Sequence, residues 1–332
     1  MNNKIRIYDR NEILLKGVKF VLNRLVNASC NIIYEIPEST KKIIQDEYYR
    51  KAYIGPHKSL DETILIPNAI DENGGDIPYF VIGTNLVKGI TTIPMIFLGG
   101  IYINRKEKFK SAKILPEKMK MHWKRGHDII IWPEDGREKF GLIEKWRNSV
   151  FKAAIDYSKY GKVFIIPNNL DCTYMTDIDR MIKNDPKMSI DEYLQRKEEI
   201  RANIKPYTLR IWHLPDWWKN LGNRYISFGE PIEVSPKDEI QKLSLYSKEK
   251  SLQLVKILPN SIKAEAIMRN KGNFNEEALF KTIEQIIDEL SPHTDKFREF
   301  RNAEDVMTKS TLTNYEKPRK YDILRNHIAH YF

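Results

Sequence analysis

Residues 55–62 read GPHKSLDE, so that a histidine follows a Gly-Pro turn and two carboxylates follow it at the fourth and fifth positions. A histidine held by a carboxylate can take up a proton at one ring nitrogen while the other nitrogen donates to the acid. His57 is therefore a candidate general base, with Glu62 or Asp61 as its partner. The competing interpretation is a helix start, because Ser59 and Glu62 have the spacing of a capping box. This stretch alone leaves both interpretations open.

A second stretch, WPEDGREKFG at residues 132–141, crowds charge into a glycine-bearing loop after an apolar run. An arginine with its planar fork, supported by lysines, suits a phosphate monoester. Loops that follow the carboxyl ends of strands in an α/β sheet are where ligands bind. The alternative is a charged loop that only faces solvent. The candidate ligand-binding residues are Glu134, Gly136, Arg137, Lys139 and Lys145.

Other catalytic signatures are missing from the sequence. It contains no G-x-S-x-G, G-x-x-x-x-G-K, G-x-G-x-x-G or H-E-x-x-H motif. Cys30 and Cys172 have no metal-ligand spacing and form no disulfide framework, which fits a reducing cytoplasm. His327 and His330 are three residues apart, and such an isolated pair does not indicate a metal site. We expect neither a metal nor a cofactor.

The two stretches together resemble the glycerolipid acyltransferases. HKSLDE is similar to the H-x4-D/E motif of that family, with Glu62 in the carboxylate position. IGTNL, running on to GGIYINR, looks like the second block, which ends here in Arg105. PEDGREKFG resembles the third block, VFIIPNNLDCTY occupies the place of the fourth, and FGEPIEV is similar to the strand that closes the domain. Five motifs in order make a specific signal.

Downstream, ILPNSIKAEAIMRNKGNFNEEAL and the ending YDILRNHIAHYF look like the helical region of the glycerol-3-phosphate and dihydroxyacetone-phosphate branch. The sequence also departs from the family pattern. Glu62 stands where aspartate is more usual, with Asp61 beside it. Asp135 replaces a glycine, Lys139 replaces an arginine, and Asn104 replaces one of two arginines. These departures affect which acceptor the resemblance implies more than which superfamily it implies.

The resemblance implies an enzyme that moves a fatty acyl group from a thioester donor, acyl carrier protein or coenzyme A, to glycerol-3-phosphate in phospholipid biosynthesis. The alternative acceptor is 1-acylglycerol-3-phosphate, and dihydroxyacetone phosphate also stays open. His57 would be the base and Glu62 would orient it. Arg137, with Arg105 and Lys139 or Lys145, would hold the acceptor phosphate. Glu134 would orient the loop.

Short apolar runs alternate with helical stretches, which predicts an α/β fold with a central mixed or mostly parallel sheet flanked by helices. SVFKAAIDYSKYG predicts a crossover helix with Gly161 as its stop. We expect three parts: an N-terminal helical segment over 1–45, an α/β acyltransferase domain over 46–235 and a C-terminal helical region over 236–332.

The 332-residue chain has 55 Lys and Arg against 45 Asp and Glu, a net charge of +10 and a pI of about 9.2. This balance favours anionic partners. A basic nucleic-acid-binding protein is the alternative of a different class, but no such motif is present, and we expect no nucleic acid. The longest apolar run, at 93–103, is too short to span a membrane. We expect a cytoplasmic protein, peripherally bound to an anionic inner membrane face.

Overall fold

The computed structural model describes residues 10–13, 15, 17, 24, 30–59, 62–83, 99–104, 108–134, 146–173, 222–271, 275–312 and 318–332. Within these ranges an eight-stranded sheet forms the centre of the molecule. Its strands are β1 (Asn31–Glu35), β2 (Arg50–Ile54), β3 (Tyr79–Gly83), β4 (Gly100–Ile103), β5 (Ile129–Ile131), β6 (Val163–Cys172), β7 (Asn223–Phe228) and β8 (Ile232–Glu233).

The strand order is β1-β7-β6-β2-β5-β3-β4, and β8 pairs with β6. The pairs β1–β7, β6–β2, β2–β5, β5–β3 and β3–β4 are parallel. Within the described sheet, the antiparallel pairs are β6–β7 and β6–β8, so β1, which is parallel to β7, also runs opposite to the central strands. The predicted fold class, α/β with a mixed and mostly parallel sheet flanked by helices, is therefore confirmed.

The helices follow the strands along the chain. They are α1 (Glu38–Gln45), α2 (Glu62–Glu72), α3 (Lys108–Lys124), α4 (Ser149–Tyr157), α5 (Ile240–Leu252), α6 (Pro259–Arg269), α7 (Glu276–Glu289), α8 (Ala303–Lys309) and α9 (Pro318–Asn326), with short 3-10 helices at Ser291–Lys296 and Ala329–Tyr331. None of the helices in the described ranges has both the length and the apolar character that crossing a membrane requires.

Two local expectations need correction. The prediction of helical structure to about residue 45 overlooks β1, which pairs with β7 from Asn31↔Asn223 to Glu35↔Ser227. The run NIIYE is β-branched and aromatic, as strands prefer, and its partner lies about 190 residues away in the sequence. Helix α4 ends at Tyr157, before Gly161, and Gly161 N–H instead donates to the Tyr157 carbonyl at 3.3 Å.

The central strands are apolar on both sides because each face of the sheet is covered by helices. On one face, Ala52 of β2 and Ile129 of β5 pack in a core with Phe151 of α4. On the other face, Tyr53 and Ile130 pack with residues of α2. A third core lies among the C-terminal helices, in α6, α7, α8 and α9.

The register of β2 and β5 sets the position of the two chemistry-bearing stretches. Ile54 and Ile131, the last residues of these parallel strands, are direct partners. The turn Gly55–Pro56–His57 and the segment from Trp132 to Glu134 therefore leave the sheet side by side. Both are at the carboxyl edge, where ligands bind in sheets of this kind.

Candidate active site

His57 and Glu62 form a hydrogen-bonded pair at this edge of the sheet. His57 Nδ1 lies 2.7 Å from Glu62 Oε2. The Glu62 side chain is fully buried, whereas 13% of the His57 side chain is exposed. We assign Nδ1–H as the donor, since the carboxylate offers only acceptors. The other ring nitrogen, Nε2, then carries a lone pair and can accept a proton.

The second oxygen of Glu62 fixes the turn between β2 and α2. Oε1 accepts from the backbone N–H of Lys58 at 2.8 Å and of Ser59 at 3.0 Å. The bond from Ser59 N–H is the half of a capping box that the acidic residue supplies. Ser59 Oγ is buried and has no hydrogen-bond partner among the residues that the structure describes. Glu62 therefore holds the helix start and His57 with one carboxylate.

Trp132 and Glu134, just after β5, contact the ring and the backbone N–H of His57, respectively. The Trp132 ring stacks on the His57 ring with centroids 4.9 Å apart. Glu134 Oε2 accepts from the His57 backbone N–H at 3.4 Å, and Glu134 Oε1 accepts from Trp146 Nε1–H at 3.3 Å. Only 1% of Glu134 is exposed. These contacts place Glu134 against the His57 turn.

Several influences act on the pKa of Glu62, and burial is the largest of them. Burial raises the pKa of its carboxyl group, the N–H groups of Lys58 and Ser59 and the Lys58 ammonium act to lower it, and Glu134 raises it. The net result is a pKa well above the ordinary value of a glutamate. A buried carboxyl group with a strongly perturbed pKa is typical of a functional site.

Lys58 connects the dyad turn to the C-terminal helices. Its Nζ pairs with Asp171 Oδ1 at 2.5 Å, and both side chains are 5% exposed. Asp171 Oδ2 also accepts from the Lys256 backbone N–H at 2.7 Å. A cavity of about 20 Å³ beside this pair is lined by Ser59 and by His327, at the end of α9. It has room for one water molecule.

His327 faces this cavity as a neutral imidazole. Burial, with the Lys58 ammonium as a second cause, lowers the pKa of His327 to about 3. No group of three or more potential metal ligands occurs among the described residues.

The structure therefore brings together His57, Glu62 and Glu134 of the residues singled out in the sequence. The rival acid Asp61 lies outside the described residues, as do Arg105, Gly136, Arg137, Lys139 and Lys145.

Three residues of this site were missed by sequence reasoning. Trp132 could have been found, because it is an aromatic residue between β5 and the charged loop. Lys58 and Asp171 give no local signal, since their pairing joins positions 113 residues apart.

No protein-family model and no curated protein matches this chain. Among solved structures, the chain is similar to the crystal structure of the 1-acyl-sn-glycerophosphate (LPA) acyltransferase PlsC from Thermotoga maritima. The identity is 16% and the TM-score is 0.44, over 73% of this chain and 79% of that chain.

Proposed function

We propose that this protein is an O-acyltransferase that moves a fatty acyl group from a thioester to the hydroxyl of glycerol 3-phosphate. The observation that carries the proposal is the 2.7 Å contact between His57 Nδ1 and the buried Glu62 carboxylate at the carboxyl edge of the sheet. Such a pair activates a hydroxyl group. The resemblance of the surrounding motifs to the glycerolipid acyltransferases supplies the substrate class.

The reaction needs no nucleophile from the enzyme. His57 Nε2 takes the proton as the acceptor oxygen attacks the thioester carbonyl carbon. The tetrahedral intermediate then collapses: the carbon–sulfur bond breaks, the ester remains, and His57 returns the proton to the leaving thiolate. Glu62 stabilises the imidazolium. Ser59 does not offer an alternative nucleophile, because it is 2% exposed and its Oγ bonds no described group, His57 included.

The charged residues near the motif are assigned to the acceptor phosphate. Arg137, with Arg105 and Lys139 or Lys145, would bind the phosphate, and Glu134, by its bond to the His57 backbone, would hold the loop after β5 in place. A bidentate arginine contact would also orient the hydroxyl group, an effect that lowers the barrier of a two-substrate reaction. The donor would be acyl carrier protein or coenzyme A.

The test crosses two donors with two acceptors. The purified protein is given labelled acyl carrier protein or acyl coenzyme A, with glycerol 3-phosphate or 1-acylglycerol 3-phosphate. Vesicles of anionic lipid are present in parallel samples, because a protein with a net charge of +10 is attracted to an anionic membrane surface. Salt would weaken that attraction. We expect transfer to glycerol 3-phosphate. Transfer to 1-acylglycerol 3-phosphate alone would establish the alternative acceptor.

His57→Ala ties the activity to the dyad. Loss of a general base should lower kcat by about 10²- to 10⁴-fold, with an unchanged circular dichroism spectrum. His293→Ala, in the 3-10 helix Ser291–Lys296, is the matched histidine control and should keep wild-type turnover. Near wild-type turnover of His57→Ala would remove the dyad from the mechanism.

A further inference from the structure

The Asn168 side chain is a buried amide that bonds none of the described residues. Asn168 lies in β6, is 1% exposed, and neither its Nδ2 nor its Oδ1 has a hydrogen-bond partner in the part of the chain that the structure describes. Its neighbour Asn169 donates Nδ2–H to Asp171. Burial of an unpaired amide costs free energy, and an exception of this kind calls for an explanation.

The position of Asn168 places its amide against the turn that carries His57. Pro167, one residue earlier, is the register partner of Ile54 at the end of β2. Asn168 Oδ1 lies 2.5 Å from the point that a side chain on Gly55 would occupy. Gly55 is two residues before His57, so the amide and the imidazole belong to one small region.

The face of the sheet on which Asn168 lies also places its amide near His57. Asn168 shares its face of β6 with Leu170, two residues on, because side chains alternate along a strand. Leu170 packs in the same core as Trp132 and Leu65 of α2. Trp132 stacks on His57, and α2 begins with Glu62. The unpaired amide is thus on the face of the sheet that carries the dyad.

We propose that the Asn168 amide binds a second hydroxyl group of the acceptor, next to the one that is acylated. The unpaired groups are one donor and one acceptor, and a hydroxyl group offers the complementary pair. A thioester carbonyl could accept from Nδ2 but leaves Oδ1 unpaired. The attacking hydroxyl gives its proton to His57, so it has none for Oδ1.

This inference rests on the proposed function and names its acceptor class: a phosphate ester that carries two neighbouring hydroxyl groups. Glycerol 3-phosphate has both. In 1-acylglycerol 3-phosphate one of them is already esterified, so that only the attacking hydroxyl remains. A site that hydrogen-bonds a substrate hydroxyl discriminates against an analogue without it, because the buried polar group is again left unpaired.

The test compares glycerol 3-phosphate with 3-hydroxypropyl phosphate, which lacks only the second hydroxyl. The wild-type protein should prefer glycerol 3-phosphate by about tenfold in kcat/KM. Asn168→Leu removes both polar atoms at similar volume. It should lower kcat/KM for glycerol 3-phosphate by about tenfold and change the value for 3-hydroxypropyl phosphate by less than about threefold.

Ser227→Ala is the matched control. Ser227 Oγ is also buried without a partner in the described ranges, but Ser227 is the register partner of Asn169. Its side chain is therefore on the opposite face of the sheet from Asn168. Ser227→Ala should keep both the activity and the preference between the two acceptors.

Stability provides a readout that does not depend on turnover. An unpaired buried amide destabilises the ligand-free protein, so Asn168→Leu should raise Tm. Glycerol 3-phosphate should raise the Tm of the wild-type protein more than that of Asn168→Leu. An amide that only holds an ordered water would give equal losses for both phosphate acceptors, and that result would overturn the inference.

Failure of the proposed function can be told apart from failure of the inference. If the wild-type protein transfers acyl groups but accepts both phosphates equally, the inference alone is wrong. If it transfers none, the proposed function is wrong, and calorimetry with glycerol 3-phosphate decides the inference. Binding to the wild-type protein that Asn168→Leu loses would support it, whereas no binding would overturn it.

Discussion

At the scale of single residues, the two carboxylate oxygens of Glu62 bond to different partners. Oε1 accepts from the backbone of Lys58 and Ser59, while Oε2 meets His57 Nδ1. A glutamine in this position could keep the first set of bonds, because its carbonyl oxygen accepts from the same N–H groups. It could not keep the second set unchanged, because its NH₂ group would face Nδ1 and reverse the tautomer of the imidazole.

Glu62→Gln should therefore lower kcat by about 10²-fold or more, while the free energy of unfolding changes by about 1 kcal/mol or less. Asp61→Asn is the matched control, because it removes a carboxylate one residue earlier in the sequence. It should stay active. Acyl transfer and urea denaturation are measured for both variants. An inactive Asp61→Asn beside an active Glu62→Gln would reassign the acid to Asp61.

The spacing HKSLDE was enough to predict which residues could meet, because a histidine and an acid on one turn are linked by local geometry. It could not decide between a helix cap and a partner for the histidine, and the geometry shows one carboxylate that bonds both the His57 ring and the Ser59 N–H. The buried amide of Asn168 was beyond sequence reasoning, since an unpaired group becomes visible only when all its neighbours are placed.

At the scale of secondary structure elements, the turn from β2 to α2 depends on Gly55. A Cβ on Gly55 would lie far inside the contact distance of the Asn168 backbone carbonyl oxygen and 2.5 Å from Asn168 Oδ1. Because the carbonyl belongs to β6, neighbouring β2 in the centre of the sheet, it cannot move aside without disturbing the strand. The absence of a side chain lets the His57 turn pass close to β6.

Gly55→Ala should lower the free energy of unfolding by about 1–3 kcal/mol, the usual cost of overpacking, and should lower kcat because His57 is displaced. Gly161→Ala is the control: the atom nearest to its new Cβ would be Tyr157 Cε1 at 3.5 Å, an ordinary contact. That variant should change stability by about 0.5 kcal/mol or less. Equal stability and activity of the two variants in denaturation and turnover assays would contradict the account of Gly55.

The central strands were predictable as short runs rich in apolar residues: YFVIG is β3, and RKAYI, whose last three residues are apolar, is β2. β1 was not predicted, because its short run gains stability only from pairing with β7, a contact far along the chain. Local pattern identifies elements, whereas long-range pairing decides which of the shorter ones persist.

At the scale of the whole molecule, a chain of buried and partly buried polar contacts links the three predicted parts. Arg298 and Lys256, both beyond residue 236, pair with Glu35 of β1. The Lys256 backbone N–H then donates to Asp171 of β6, which pairs with Lys58 beside the dyad. The boundaries at 45 and 235 stay predictions. These contacts favour cooperative unfolding of the described parts, because separating the first part from the third breaks the ion pairs of Glu35, and separating the second from the third breaks the hydrogen bond between Lys256 and Asp171.

The Lys58–Asp171 pair allows this coupling to be measured. Asp171→Asn leaves a buried ammonium group without its counter-ion, which should lower the free energy of unfolding by about 3–5 kcal/mol. The double variant Lys58→Met/Asp171→Asn carries neither charge and should regain most of that loss. Glu233→Gln breaks the surface pair Lys162–Glu233, in which both side chains are 55% exposed, and should cost about 1 kcal/mol or less. Chemical denaturation should give a single transition for every variant. A double variant as unstable as Asp171→Asn, or an Asp171→Asn as mild as Glu233→Gln, would show that the pair does not hold the dyad turn to the rest of the molecule.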